Sequence, residues 1–318
     1  MRTVITLLAA AMTLPAQTVE KSTLDKWMQE LSNWNRWGKT DQAGAVNLIT
    51  PARRKAAAAL VREGFTVSLS RDGDTVKSID NGRPLGVKVI SSGMDPNPMF
   101  AMETLTISYH GTSLTHLDTL AHMFYQGKVF NGYSKDEINN QGAGQLAVTA
   151  YKNGIVSRGI LMDIPRLKGV SYLEPATPIT AADLDAWEKK AGLKVSSGDI
   201  VLIHTGRWIR RAEKGPWDTE KAAAGMHVSC ARWFKQRDVA MVGSDTHGEL
   251  KPPPVPGVAF PMHQLLLIAM GVPMLDNCDL GALSAAAVQR GRWEFLLTVA
   301  PLVVPKGTGS PVNPIAMF

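Results

Sequence analysis

The sequence predicts a single α/β domain of the α+β kind, a mixed β-sheet with surrounding helices, on three observations. Short apolar runs of strand character alternate with amphipathic helical runs. Of 318 residues, 45% are hydrophobic and only 19% charged, enough apolar material for a large core. No Ser-, Gly- or charge-rich linker and no fixed-period repeat divides the chain.

At the N-terminus Arg2 precedes an apolar run ending near Leu14, the layout of a secretory signal and not of a membrane span. Residues 1–16 are therefore expected to be a signal peptide, with cleavage after Ala16 and export to a periplasmic or secreted destination. Residues 17–318 then form the folded domain. Thr50-Pro51, followed by an Ala-rich run and Gly64, predicts a helix with a Thr cap and Pro in its first turn; Phe65 to Leu69 follows as a strand. The pattern recurs at Thr180, whose helix runs to Gly192, before Gly198-Asp199 and the strand IVLIH. Thr104–Tyr109, Gly159–Met162 and Val239–Val242 are further strand candidates. The Pro-rich stretch from Lys251 to Gly257 is expected to be an ordered loop leading to His263, because proline lacks the donor that a helix or central strand needs.

The formal charge of +6 is spread among acids, and the pairs Arg53-Arg54 and Arg210-Arg211 read as solvated faces, so neither nucleic acid nor membrane is an expected partner. Cys230 and Cys278 make no CxxC motif; they are either bridged or buried as free thiols.

The segment from Ser108 to Gly132 carries the chemistry. His110, His116 and His122, three of the seven histidines, lie with Asp118 inside thirteen positions. His116 and Asp118 are two apart, so in an extended segment they leave the same face. If Asp118 caps a helix, His122 lies one turn further on. Imidazole with carboxylate suits a catalytic divalent ion such as zinc or manganese, whereas calcium wants more oxygens and structural zinc usually wants cysteines.

This segment resembles the signature of the cyclase family that includes bacterial kynurenine formamidase and isatin hydrolase, written H-x-x-x-H-x-D-x-x-x-H. Stretches near Asn33, Gly198, Gly243 and His263 are similar to segments of its longer members. The resemblance implies the family's swivelling β/β/α fold, one or two bound ions, and a homodimer or tetramer. It assigns metal binding to His116 and Asp118 and acid/base work to His122. It also places a second metal position at His263 and Asp276. Thr112 stands where the family's first histidine is expected, leaving that ligand to water, to the Thr hydroxyl or to His110. His247 and Glu249 are either groups that orient a ligand or surface-loop residues. Trp34, Trp37 and Phe124 either wall an aromatic substrate pocket or pack against the fold.

The activity expected is metal-dependent hydrolysis of a small aryl formamide or cyclic amide, of the N-formylkynurenine class, by activated water with a histidine acid/base. No G-x-S-x-G elbow competes with it. Two other readings fit the same residues: a metal-dependent cyclising dehydratase or lyase, and an exported protein that binds metal or ligand without turnover.

Overall fold

The computed structural model describes residues 18–318, so the signal expected at residues 1–16 lies outside the described residues. A nine-stranded sheet organises them. Its order across the sheet is Thr66–Ser68, Ile315–Met317, Glu294–Val299, Ile155–Asp163, Ile200–His204, Met241–Ser244, Met274–Asp276, His116–Asp118 and Gly309–Pro311. The four strands from Ile155–Asp163 to Met274–Asp276 run parallel; every pairing outside that block is antiparallel. The sheet is therefore mixed, with helices around it, as one domain.

The strand Ile200–His204 opens as an unbroken apolar run because both of its faces are covered. Alternation still sorts the side chains of the central strands. Ile160, Met162, Val201 and Ile203 pack with Trp187 and Phe234 in one apolar layer, while Leu161, Ile200 and Leu202 join Phe295 and Phe318 in the other. Helix Ala181–Ala191 is fixed at both ends: Thr180 and Asp183 exchange a capping box, and Gly192 stops the helix at φ 66. Its Trp187 is buried, with the indole N–H donating to Leu161 O at 2.8 Å. Thr50 caps helix Pro51–Ala58, which ends well before Gly64.

Two local expectations need correction. The strand expected at Thr104–Tyr109 forms as Met102–Thr106 and pairs only with Gly86–Ser91, in an exposed hairpin outside the main sheet. No helix follows Asp118. Thr119 instead donates its N–H and hydroxyl to Thr308 O, at 3.2 and 2.8 Å, and the chain turns so that His122 N–H reaches Thr119 O. Asp118 thus ends a strand, and its carboxylate is left for other partners.

Cys230 and Cys278 are both free and buried. The Arg211 guanidinium, expected on a solvated face, instead grips Asp80 at 2.7 Å. No helix among the described residues is long and apolar enough to cross a membrane.

His204 lies at the end of the all-buried strand Ile200–His204, its Nδ1 3.2 Å from Asp163 Oδ1, while Ser284 donates to Asp163 Oδ2 at 2.5 Å. Burial alone would raise the Asp163 carboxyl, but the bonds from His204 and Ser284 hold it down to about 2. Burial would lower His204, yet Asp163 and Asp245 raise it. The Asp163 contribution is present above the unfolded carboxyl range and lost as pH falls through its depressed folded value. The His204 contribution is complete below the unfolded imidazole value and lost as pH rises through its raised folded value. The pair therefore supports the fold best between about pH 4 and 6.5. Asp163→Asn should cost about 2 kcal/mol at pH 6 and remove this residue's share of the loss between pH 4 and 2, as read by urea unfolding across a pH series.

Candidate metal centre

Strand pairing builds the site. His116–Asp118 lies between Met274–Asp276 and Gly309–Pro311, with His116 directly opposite Asp276. Period-two geometry sends His116 and Asp118 to one face and Leu117 into the apolar layer beneath. Residues directly opposite in antiparallel strands share a face, so Asp276 joins them, and ligand atoms of His116, Asp118 and Asp276 lie within 4.8 Å of one another.

Asp118 is the hub. His110 Nδ1 is 2.8 Å from Asp118 Oδ1, and His116 Nε2 is 3.4 Å from the same oxygen. His122 Nε2 and His263 Nε2 each stand 3.7 Å from Oδ2, and His263 is also 3.6 Å from Asp276 Oδ2. His110, Asp118 and His122 form a second group with ligand spacing. The His110 and His122 rings stack, with centroids 4.0 Å apart.

Three of the four imidazoles are oriented from behind. His116 Nδ1 contacts Leu114 O at 2.8 Å, which directs Nε2 inward. His110 Nε2 contacts the Thr308 hydroxyl at 3.0 Å. His263 is held by Glu249, whose Oε1 accepts from its backbone N–H at 2.8 Å and lies 3.0 Å from Nδ1. His263 ends a short helix that passes at Gln264 into a π-helical turn, a feature found frequently at functional sites. Gly309 has no Cβ for a spatial reason: one would lie 2.5 Å from Leu117 O and 2.8 Å from His110 Cε1.

The donor set fits a cation. Asp118 and Asp276 are buried, and among the described residues neither forms an ion pair with Lys or Arg. His110 Nδ1 and Asp118 Oδ1, although close, are off the line of a hydrogen bond, so both remain unpartnered, as do Asp276 Oδ1 and Glu249 Oε2. Buried polar atoms without partners are expensive, and a shared divalent ion is what such a set accommodates. Burial would raise Asp118, but His122 and His116 hold it well below the usual carboxylate range. Burial pushes His122 down to about 4 against the pull of Asp118, keeping it neutral at pH 7.

These side chains open into a cavity of about 290 Å³, also lined by Arg83, Met123, Glu220, His247 and Phe260. The Cyclase family model matches residues 85–249 of the sequence, just over half of it. The chain belongs to the Cyclase family. A crystal structure of a novel cyclase superposes with a TM-score of 0.81 at 32% identity, covering 91% of this chain and 98% of the other. An isatin hydrolase bound to the product analogue thioisatinate matches at TM-score 0.55 and 19% identity, covering 82% and 94%. Isatin hydrolase A from Ralstonia solanacearum matches at 0.55 and 20%, covering 84% and 97%. At that identity, likeness to the isatin hydrolases is likeness of fold. No curated protein sequence matches.

Within this cyclase-family fold the structure brings His116, Asp118, His122, His263 and Asp276 together around one cavity. Of the alternatives for the open position, His110 is the one beside Asp118. Thr112 faces away, its hydroxyl donating to Asp80 O at 2.8 Å. His247 and Glu249 are buried, not surface-loop residues; His247 lines the cavity and Glu249 orients His263.

Trp34, Trp37 and Phe124 do not line this cavity. Trp34 donates its indole N–H to Ile268 O at 2.7 Å and faces a separate cavity with Asp25 and Tyr125. Trp37 packs against the main apolar layer, and Phe124 is exposed. Sequence reasoning places none of Arg83, Met123, Glu220 or Phe260 at the site, since nothing in their local patterns points there. The His110 position does carry a signal: a histidine two residues before Thr112, which the structure places beside Asp118. Removing that imidazole, by His110→Ala, should weaken zinc binding at least tenfold in a chelator competition, whereas Thr112→Ala should change it by less than about threefold.

Proposed function

We propose that the chain is a metal-dependent hydrolase of a small aryl formamide or cyclic amide. The observation that carries this reading is the pair of buried carboxylates, Asp118 and Asp276, facing imidazoles with no Lys or Arg to neutralise them. The isatin hydrolases that share the fold act, by their names, on isatin, a cyclic amide, which supports this substrate class. His116, Asp118 and Asp276 would hold one ion, with His110 and His263 as further candidate ligands where a second is bound, and zinc and manganese both suit the donors. A divalent cation there supplies Lewis acidity, which polarises a carbonyl and favours ionisation of water near neutral pH.

The chain's own residues do the rest. Neutral His122, at the cavity wall, accepts a proton as water attacks the carbonyl and returns it to the departing nitrogen. Met123 and Phe260 give the cavity apolar walls, and Arg83 and Glu220 also line it. A cysteine nucleophile is disfavoured: Cys230 and Cys278 are buried, and burial raises both thiols. That burial also suits export without a disulfide, the destination we propose from residues 1–16.

His122→Asn should leave metal content near normal while lowering turnover of formyl-aryl amides by roughly two to four decades. In ¹⁸O-labelled water the acid product should carry solvent oxygen; unlabelled product would favour the cyclising or eliminating reading, and bound metal without turnover the binding-protein reading.

We also propose a homo-oligomer joined through the exposed hairpin region. Val76, Ile79, Val89, Met94, Met99 and Phe100 are each more than 60% exposed, and a lone two-stranded hairpin gains little stability in water. Val89→Glu with Met99→Glu should shift the species seen by light scattering toward the monomer.

A further inference from the structure

The segment from His110 to His116 must hold two candidate ligands in register, yet it has almost no regular structure of its own. Its carbonyls are held by side chains from elsewhere. Asn277, the residue after Asp276, donates Nδ2 to Gly111 O at 2.8 Å and to Leu114 O at 3.2 Å. Leu114 O is also the contact of His116 Nδ1. Thr115 in turn donates its hydroxyl to Asn277 O at 2.8 Å. Asn277 takes φ 56, a left-handed conformation that asparagine tolerates better than most residues, and so turns its amide back toward the loop.

Which way that amide points is decided by a third residue. Arg207 opens helix Arg207–Lys214 and is fully buried. It donates Nη1 to Asn277 Oδ1 at 2.6 Å and Nη2 to Thr112 O. Its backbone N–H and those of Thr205 and Gly206 are gathered by the Asp245 carboxylate, and its guanidinium lies 4.2 Å from the Trp208 ring centroid. Because Arg207 fills the Asn277 oxygen, the amide nitrogen must face Gly111 and Leu114. One buried guanidinium and one amide therefore capture three carbonyls between His110 and His116.

We infer that Arg207 and Asn277 are positioning residues that set the spacing of His110 and His116 around the cation site. Neither points a donor atom at that site, and both are donors to carbonyls, so their influence passes through the loop. This inference rests on the metal-site reading above.

The test measures zinc affinity of metal-stripped protein by calorimetry, together with the melting temperature of that metal-free protein. Asn277→Asp keeps the shape, the left-handed tolerance and the acceptor for Arg207, but loses both donors to the loop; it should weaken zinc binding roughly 10–100-fold. Arg207→Lys removes the fork and should do the same, and the double variant should be less than the product of the two because one loop is affected. Arg158→Lys is the control. It disturbs a partly buried ion network with Asp199 and Glu294 elsewhere in the fold, so it should lower the melting temperature without changing zinc affinity. Zinc binding by Asn277→Asp within about threefold of the unaltered protein would overturn the inference. So would an affinity loss in Arg158→Lys matching that of Asn277→Asp at equal melting temperature, since generic loosening would then explain both. Absence of zinc binding in the unaltered protein would overturn the metal-site reading and this inference together, whereas equal binding in the variants overturns only this one.

Discussion

Everything at the centre of this molecule answers to one buried carboxylate. Asp118 sits in a strand with neighbours on both sides, away from water, with four imidazoles within 3.7 Å of its oxygens. An isolated carboxylate in that position would be untenable, because the desolvation of a charge costs several kcal/mol even after relaxation. The surrounding histidines offset part of that cost, His122 and His116 foremost. A cation coordinated between them answers both demands: it neutralises Asp118 and Asp276 and uses the ring nitrogens as ligands in their neutral form.

Strands do here what loops do in many sites. The antiparallel pairing of His116–Asp118 with Met274–Asp276 places the second carboxylate opposite the first histidine with no freedom of register, because a one-residue slip would send His116 and Asp118 into the apolar layer and Leu117 into the cavity. The adjustable side of the site is the opposite one, where His110 arrives on an irregular loop and His122 on a turn. Asp118 and Asp276 on paired strands fix where the charge is, and His110 and His122 close around it from a loop and a turn.

Patterns with local causes are legible in the sequence. The Thr180 cap, the Gly192 stop, the buried strand IVLIH and the period-two placement of His116 and Asp118 depend on neighbours a few residues apart. The convergence of His263 and Asp276 is readable only by resemblance to a family. What fails has a tertiary cause. Asp118 looks like a helix cap because Thr-Leu-Ala-His follows it, but the bonds of Thr119 to Thr308, 189 positions away, force a turn. Trp34 and Trp37 look like pocket walls because tryptophans in polar surroundings invite that reading; an acceptor at Ile268 and an apolar layer claim them instead. Thr112 misleads because spacing along the chain is only a proxy for position. His110, two residues earlier, is the side chain that lies beside Asp118.

A loop between ligands has a consequence for the rest of the chain. Each added residue widens the set of conformations in which His110 and His116 fail to meet, and a cation can draw them together only at the expense of its own affinity. The constraint must therefore come from protein groups already in place before the ion arrives. In this fold those groups lie far away in sequence, at the start of helix Arg207–Lys214 and in the residue after Met274–Asp276. The family-matched region ends at residue 249, at the Glu249 that orients His263, yet His263 and Asp276 lie beyond it. The site is thus assembled from residues between Arg83 and Asp276, and its precision is a property of the folded sheet, not of the histidine motif that first reveals it.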